Sequence, residues 1–233
     1  MKIFNLQKSF GRFALHIQDM ELRSGQIYGL IGANGCGKST TLKLLAGLIP
    51  PDAEVINYEG LNARDITLVP QKPYLIRDTV MANLTYPLKI RKIKPDKELL
   101  DHYLELAGLQ NLKQAYAPGL SSGESQKLAL IRAMVFSPKL ILIDETFSNM
   151  DMESQARFEN YVLERQKKSP ITWMIISHQL PTIRRMCGYT FFMEDGKIEE
   201  EGDTGMVLAK PQTPSLERYV NFMNGVRVFE NPC

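Results

Sequence analysis

Apolar and polar positions alternate through the first 25 residues, most clearly in Phe13-Ala14-Leu15-His16-Ile17. A period of two predicts strands with one buried face, paired antiparallel. After the turn at Ser24-Gly25 the pattern changes. Gln26-Ile27-Tyr28-Gly29-Leu30-Ile31 is apolar without alternation, as in a strand buried on both faces. Thr41-Leu42-Lys43-Leu44-Leu45-Ala46 then has helical character and runs into Gly47. Glu54-Val55-Ile56-Asn57-Tyr58 predicts a short strand before the turn Glu59-Gly60, and Ile66-Thr67-Leu68-Val69 a buried strand that stops at Pro70-Gln71.

Between residues 74 and 118 the spacing becomes helical, with Leu88, Ile90, Leu99, Leu100, Tyr103, Leu104 and Leu106 recurring. A further helix is predicted from Ser122 to Phe136. Two more all-apolar runs follow, Lys139-Leu140-Ile141-Leu142-Ile143 and Ile171-Thr172-Trp173-Met174-Ile175-Ile176. Tyr189-Thr190-Phe191-Phe192-Met193 then meets the turn Glu194-Asp195-Gly196-Lys197, and residues 214–220 predict a closing helix. Strands alternating with helices predict an α/β core with a mostly parallel sheet, preceded by an antiparallel β subdomain and carrying a small helical insertion at about 74–137.

Composition narrows the class. A chain of 233 residues is one large domain or two small ones, and it reads as a single domain over 1–233. A net charge of +2 gives no argument for nucleic acid. The basic run Arg91-Lys92-Ile93-Lys94-Pro95-Asp96-Lys97 reads as a solvated loop. The N-terminus has no apolar signal-peptide core, and nowhere do 18 apolar residues run together. Cys36, Cys187 and Cys233 show no metal-binding spacing and point to a reducing compartment.

The strongest chemical signal is Gly32-Ala33-Asn34-Gly35-Cys36-Gly37-Lys38-Ser39-Thr40, which fits G-x-x-x-x-G-K-[ST] between strand and helix. Glycines let the backbone curl around phosphate, aiming N–H groups inward, and the following helix adds its positive end. Lys38 is expected to reach the terminal phosphates and Ser39 to hold Mg2+. The plain alternative is a glycine-rich turn. Cys36 lies near Lys38 and a helix start, a setting that favours thiolate, or it is simply a small residue that fits. A second signal is Asp144-Glu145 at the carboxyl end of an apolar strand, where open α/β sheets bind ligands. Behind a phosphate loop, Asp144 is expected in the Mg2+ shell and Glu145 as general base or water-orienting group.

Leu120-Ser121-Ser122-Gly123-Glu124-Ser125-Gln126-Lys127 opens a helix, and here the chain resembles the ATP-binding subunits of ABC transporters, whose signature is LSGGQ. The resemblance spans nearly the whole sequence. Its elements occur in the family's order: phosphate loop, Gln71, signature, Asp144-Glu145, Ser148-Asn149-Met150-Asp151 and His178. It implies a P-loop NTPase fold and hydrolysis of ATP with Mg2+. It also implies a head-to-tail homodimer with ATP between the phosphate loop of one copy and Ser121, Ser122 and Gly123 of the other. Gln71 matches the glutamine that senses Mg2+ and the attacking water. His178 matches the histidine on the γ-phosphate, Phe10 the aromatic that stacks on adenine, and Asp151 the acid that crosses to the partner's site. His16 and His102 match nothing and read as surface or packing residues.

Several positions depart from the family pattern. Ser122 replaces a glycine and Glu124 a glutamine in the signature, Thr146 stands where proline usually follows, and Ala53 where glycine often stands. None removes a charge or donor the chemistry needs, so the resemblance still implies an active ATPase. A chain with no spanning segment needs integral membrane permease subunits, docked near Gln71 and residues 74–86. A solute-binding protein would take part only indirectly. The implied place is the cytoplasmic face of the membrane. Val80-Met81-Ala82-Asn83-Leu84-Thr85-Tyr86-Pro87-Leu88 resembles importer ATPases, including those for oxyanions such as tungstate. The alternatives are a soluble ABC ATPase outside transport, or a nucleotide-dependent adaptor with low turnover.

Overall fold

The computed structural model describes residues 1–226; Cys233 and the side chains of Glu54, Val55 and Asn149 lie outside that description. The chain begins with β1 (Lys2–Phe10), β2 (Phe13–Glu21) and β3 (Ile27–Ile31), then α1 (Lys38–Leu45), β4 (Ala53–Asn57) and β5 (Ile66–Val69). The insertion holds α2 (Val80–Arg91), α3 (Lys97–Ala107) and α4 (Ser122–Met134). Next come β6 (Leu140–Asp144), α5 (Met152–Lys168), β7 (Thr172–Ile176) and α6 (Leu180–Met186). The rest is β8 (Tyr189–Glu194), β9 (Lys197–Asp203), α7 (Thr204–Ala209) and α8 (Pro214–Met223).

Two sheets form, as the pattern predicts. A three-stranded antiparallel sheet has the order β2-β1-β4. A six-stranded sheet has the order β5-β6-β7-β3-β8-β9, parallel throughout except for the β8–β9 hairpin. Every residue of β3, β6 and β7 is buried, which is why these strands lack alternation. Their side chains still point to opposite faces. Ile141, Ile143, Trp173 and Ile175 pack among the helices, while Leu140, Leu142, Met174 and Ile176 pack toward β1, β2 and α1. Each such buried side chain contributes about 1.5–3 kcal/mol, so two cores clamp one sheet.

The helical insertion is closed by local chemistry. Thr79 caps α2 by accepting from the Ala82 N–H, and Asp96 caps α3 by accepting from Glu98 and Leu99. The basic run is not wholly a solvated loop. Arg91 belongs to α2, and its guanidinium lies 3.7 Å above the centre of the Phe136 ring while Lys92 to Lys97 are largely exposed. His16 is exposed, 3.0 Å from the Asn5 amide oxygen, and His102 packs against Tyr103 and Tyr161. The closing helix α8 is seated by Glu200, whose carboxylate accepts from the Gln212 and Thr213 N–H groups and the Thr213 hydroxyl.

Candidate active site

The order β5-β6-β7-β3 decides which residues meet. Ile143 of β6 stands beside Val69 of β5 and Ile175 of β7, and Asp144 beside Ile176. In-register parallel strands end together, so Gln71, Glu145 and His178, each one or two residues past its strand, are brought to one edge. The phosphate loop follows β3 and completes the row.

The loop has the conformation its glycines allow. Gly32 has a φ of 148°, and a Cβ there would lie 2.1 Å from the Met193 carbonyl oxygen, so no side chain fits. Gly37, with a φ of 114°, opens α1. Lys38 is buried, and its ammonium donates to the carbonyl oxygens of Gly32 and Ala33, both at 2.8 Å. A buried ammonium needs such partners; its remaining contact is a long one to the Cys36 sulfur at 3.9 Å, which an anion would readily replace. The Ser39 hydroxyl lies near enough to the Asp144 carboxyl to help hold its charge. Burial pushes the Asp144 carboxyl above the usual carboxylate range, with Ser39, Lys43 and Lys38 pulling the other way and Glu145 adding to the rise. A desolvated acid beside a hydroxyl is a hard-oxygen pair of the kind Mg2+ takes.

Glu145 is the centre of the row. Its backbone is left-handed, with a φ of 52°, and its N–H donates to the Ile176 carbonyl at 3.1 Å. One carboxylate oxygen accepts from the Gln71 amide at 2.9 Å. The other lies 2.8 Å from His178 Nε2, a close contact rather than an aligned hydrogen bond. The carboxylate is thereby bonded on one side and flanked by the imidazole on the other. The Gln71 carbonyl in turn accepts from Gln126 of α4 at 3.1 Å, which ties the row to the insertion.

A cavity of about 450 Å³ opens over this row, lined by Phe13, Asn34, Gly35, Gly37, Lys38, Ser39, Thr40, Gln71, Glu145 and His178. The expected aromatic, Phe10, is not in that lining. It is half-exposed beneath Lys8, while Phe13, its partner across the β1–β2 hairpin, borders the cavity. Of the expected loop residues, Gly32, Ala33 and Cys36 lie outside the lining. Cys36 is only 5% exposed, and burial raises its thiol pKa more than Lys38 lowers it, which favours the plainer of the two readings, a small residue that fits, over a thiolate. Ser121, Ser122, Gly123 and Asp151 also stand apart from the lining. Ser121 and Glu124 form a capping box at the start of α4: the Ser121 hydroxyl donates to the Glu124 carboxylate at 2.7 Å, and the same oxygen accepts from the Ser121 N–H at 2.9 Å. Those bonds hold the Glu124 carboxyl below its ordinary pKa. Asp151 caps α5 by accepting from the Ser154 N–H at 2.8 Å.

With that geometry in place, the sequence profile of the family described as ABC transporter matches residues 15–148, more than half of the chain. The chain belongs to the ABC transporter family. A tungstate uptake system ATP-binding protein from Peptoclostridium acidaminophilum is 34% identical over 209 residues, covering 85% of this chain and 96% of that protein. A sulfate/thiosulfate import ATP-binding protein from Mesostigma viride is 32% identical, covering 98% of this chain and 69% of that protein. In fold, the chain is similar to a dimeric post-hydrolysis structure of an ATP-binding cassette bound to ADP and Pi, with a TM-score of 0.76 at 22% identity, covering 87% of this chain and 98% of that one. The ABC transporter membership makes this chain an ATP-binding, ATP-hydrolysing subunit of the kind found in importers.

Two predictions follow from the burial of Asp144 and Cys36. A carboxyl whose folded pKa is raised costs stability above that pKa and costs nothing well below its ordinary value. Asp144→Asn, nearly isosteric, is therefore expected to raise the melting temperature of the ligand-free protein at pH 7. That gain should vanish at low pH; a lower melting temperature at pH 7 would show that the charge is compensated. For Cys36, maleimide labelling at neutral pH should be much slower than for an exposed thiol and slower still with ATP present, read by intact mass and peptide mapping.

Proposed function

We propose that this chain is the ATP-hydrolysing subunit of an importer, working as a head-to-tail homodimer on separate permease subunits. The whole of 1–233 acts as one ABC ATPase domain. The observation that carries this reading is Glu145, held between Gln71 and His178 and facing the same cavity as Lys38 and Ser39.

ATP is the substrate. Lys38 and the N–H groups around Gly35, Gly37 and Thr40 would grip its phosphates, with positive charge from the start of α1. Phe13, which borders the cavity, would face the base. Ser39, Asp144 and Gln71 would hold Mg2+, which supplies charge neutralisation on the β- and γ-phosphates when bound. Glu145 orients a water for in-line attack. The bond from water oxygen to the γ-phosphorus forms, the bond to the bridging oxygen of ADP breaks, and the water proton passes toward Glu145 and ends on the products. His178, on the other side of the carboxylate, would contact the γ-phosphate. Pinning Glu145 in advance removes the entropy of finding that geometry.

The site is half of a pair. Ser121, Ser122 and Gly123 do not line their own chain's cavity, so in this reading they and Asp151 serve the cavity of a second copy. Among the described residues no helix is long and apolar enough to cross a membrane. Tyr74 is 79% exposed and Tyr86 and Ile90 are also open, giving the segment near Gln71 an apolar face suited to a permease on the cytoplasmic side. An oxyanion such as tungstate is the cargo that the similarity to the tungstate uptake protein favours. A solute-binding protein would deliver it on the far side.

The test is Glu145→Gln. We expect ATP turnover to fall at least a hundredfold while ATP binding persists, and the variant to accumulate as an ATP-dependent dimer by light scattering. Wild-type protein that never hydrolyses ATP, even with its permease, would overturn the reading.

A further inference from the structure

The turn that carries His178 is fixed in an unusual way. Gln179 stands at the N-cap of α6 but makes no capping bond to that helix. Its side-chain oxygen instead accepts from the Gln155 amide of α5 at 2.8 Å. Within the turn, the Ser177 hydroxyl accepts from the Gln179 N–H at 3.0 Å. The residue beside His178 is therefore held sideways by another helix.

Gln155 is buried, and its orientation is dictated by chemistry. Its Nε2 also lies 2.8 Å from Glu159 Oε1 and 2.8 Å from Thr182 Oγ1. A carboxylate accepts only, so turning the amide over would set oxygen against oxygen. Glu159 is 4% exposed and is anchored by Arg185, whose Nε and guanidinium Nη2 reach the two carboxylate oxygens at 2.8 and 3.1 Å. A buried carboxylate with such a partner is a firm post. The chain of bonds thus runs from the Glu159–Arg185 pair to Gln155, to Gln179, and to the turn that places His178 at Glu145.

We propose that Gln155 is a positioning residue for His178, setting the Ser177–Gln179 turn from α5. Asp151 caps that same helix one turn earlier. The Gln179 oxygen also accepts from the Thr182 hydroxyl of α6 at 3.2 Å, so Gln155 is its one bond to α5, and a second copy that displaces the Asp151 segment would reach the turn through that bond. The proposal rests on the reading of Glu145 and His178 as the hydrolytic pair.

The test compares the full chain with Gln155→Ala, His178→Ala and the double variant, each checked by thermal melting. Gln155→Ala is expected to lower kcat at least tenfold, with KM for ATP changed less than twofold. In the His178→Ala background it should cost less than twofold. Amide hydrogen exchange over residues 177–183 should speed up in Gln155→Ala while residues 160–168 stay unchanged. Equal losses in both backgrounds, or unchanged exchange at 177–183, would overturn the proposal. If His178→Ala hydrolyses ATP like wild type, the hydrolytic role of His178 fails, yet exchange still decides whether Gln155 sets the turn. Should Gln155→Ala not fold, Gln179→Ala removes the same bond while leaving α5 intact, and it must show the same pattern.

Discussion

The central strands of the sheet are buried on both faces, so a charged side chain can sit on them only at their ends. That constraint organises the molecule. β3, β6 and β7 carry no charged side chain along their length apart from Asp144 at the end of β6. Parallel pairing then aligns the carboxyl ends of β5, β6 and β7. Gln71, Glu145 and His178 meet because three hydrophobic strands finish side by side. The phosphate loop joins them because β3 is the next strand across.

The site balances unlike demands on neighbouring groups. Lys38 is desolvated and compensated by its own loop's carbonyls, whereas Asp144 is desolvated and incompletely compensated. The first arrangement keeps a cation in place without ligand. The second leaves an acid whose environment improves when positive charge arrives. Glu145 differs from both, being partly exposed, bonded to Gln71 and flanked by His178 rather than held by burial. Glycine at 32 permits this packing, since the loop lies against the Met193 carbonyl with no room for a Cβ.

Much of this was legible in the sequence for a physical reason. Lys38 and Ser39 sit at fixed offsets in a short loop, and Asp144-Glu145 ends an apolar run, so covalent spacing alone puts them at a strand end. Strand patterning worked for the same reason: β3, β6 and β7 have a composition that only double burial explains. Positions set by tertiary packing were not legible. Phe10 and Phe13 are equivalent aromatics until the hairpin register decides which one borders the cavity. Cys36 beside Lys38 reads as a thiolate setting until burial is known to outweigh the charge. β9, in the sequence Lys-Ile-Glu-Glu-Glu-Gly-Asp, buries little on either face and gave no strand signal. Gln155 is a polar residue inside a largely charged helix, and nothing in its neighbours tells that it points into a core.

The signature segment shows how one pattern serves two purposes. Ser121-Ser122-Gly123-Glu124 is both a departure from LSGGQ and a capping box, and the box explains the glutamate. Glu124 satisfies the Ser121 N–H and hydroxyl while its own N–H is accepted by Ser121. In the proposed dimer, Ser121 must therefore trade one anionic acceptor for another when a phosphate approaches from the second copy. A trade between two charged acceptors is close to neutral in hydrogen-bond energy and unfavourable in charge, because Glu124 remains nearby. Closure of such a pair cannot be driven by the signature serine alone. It has to draw on the phosphate grip at Lys38, on the positive end of α4, and on the surfaces the two copies bury.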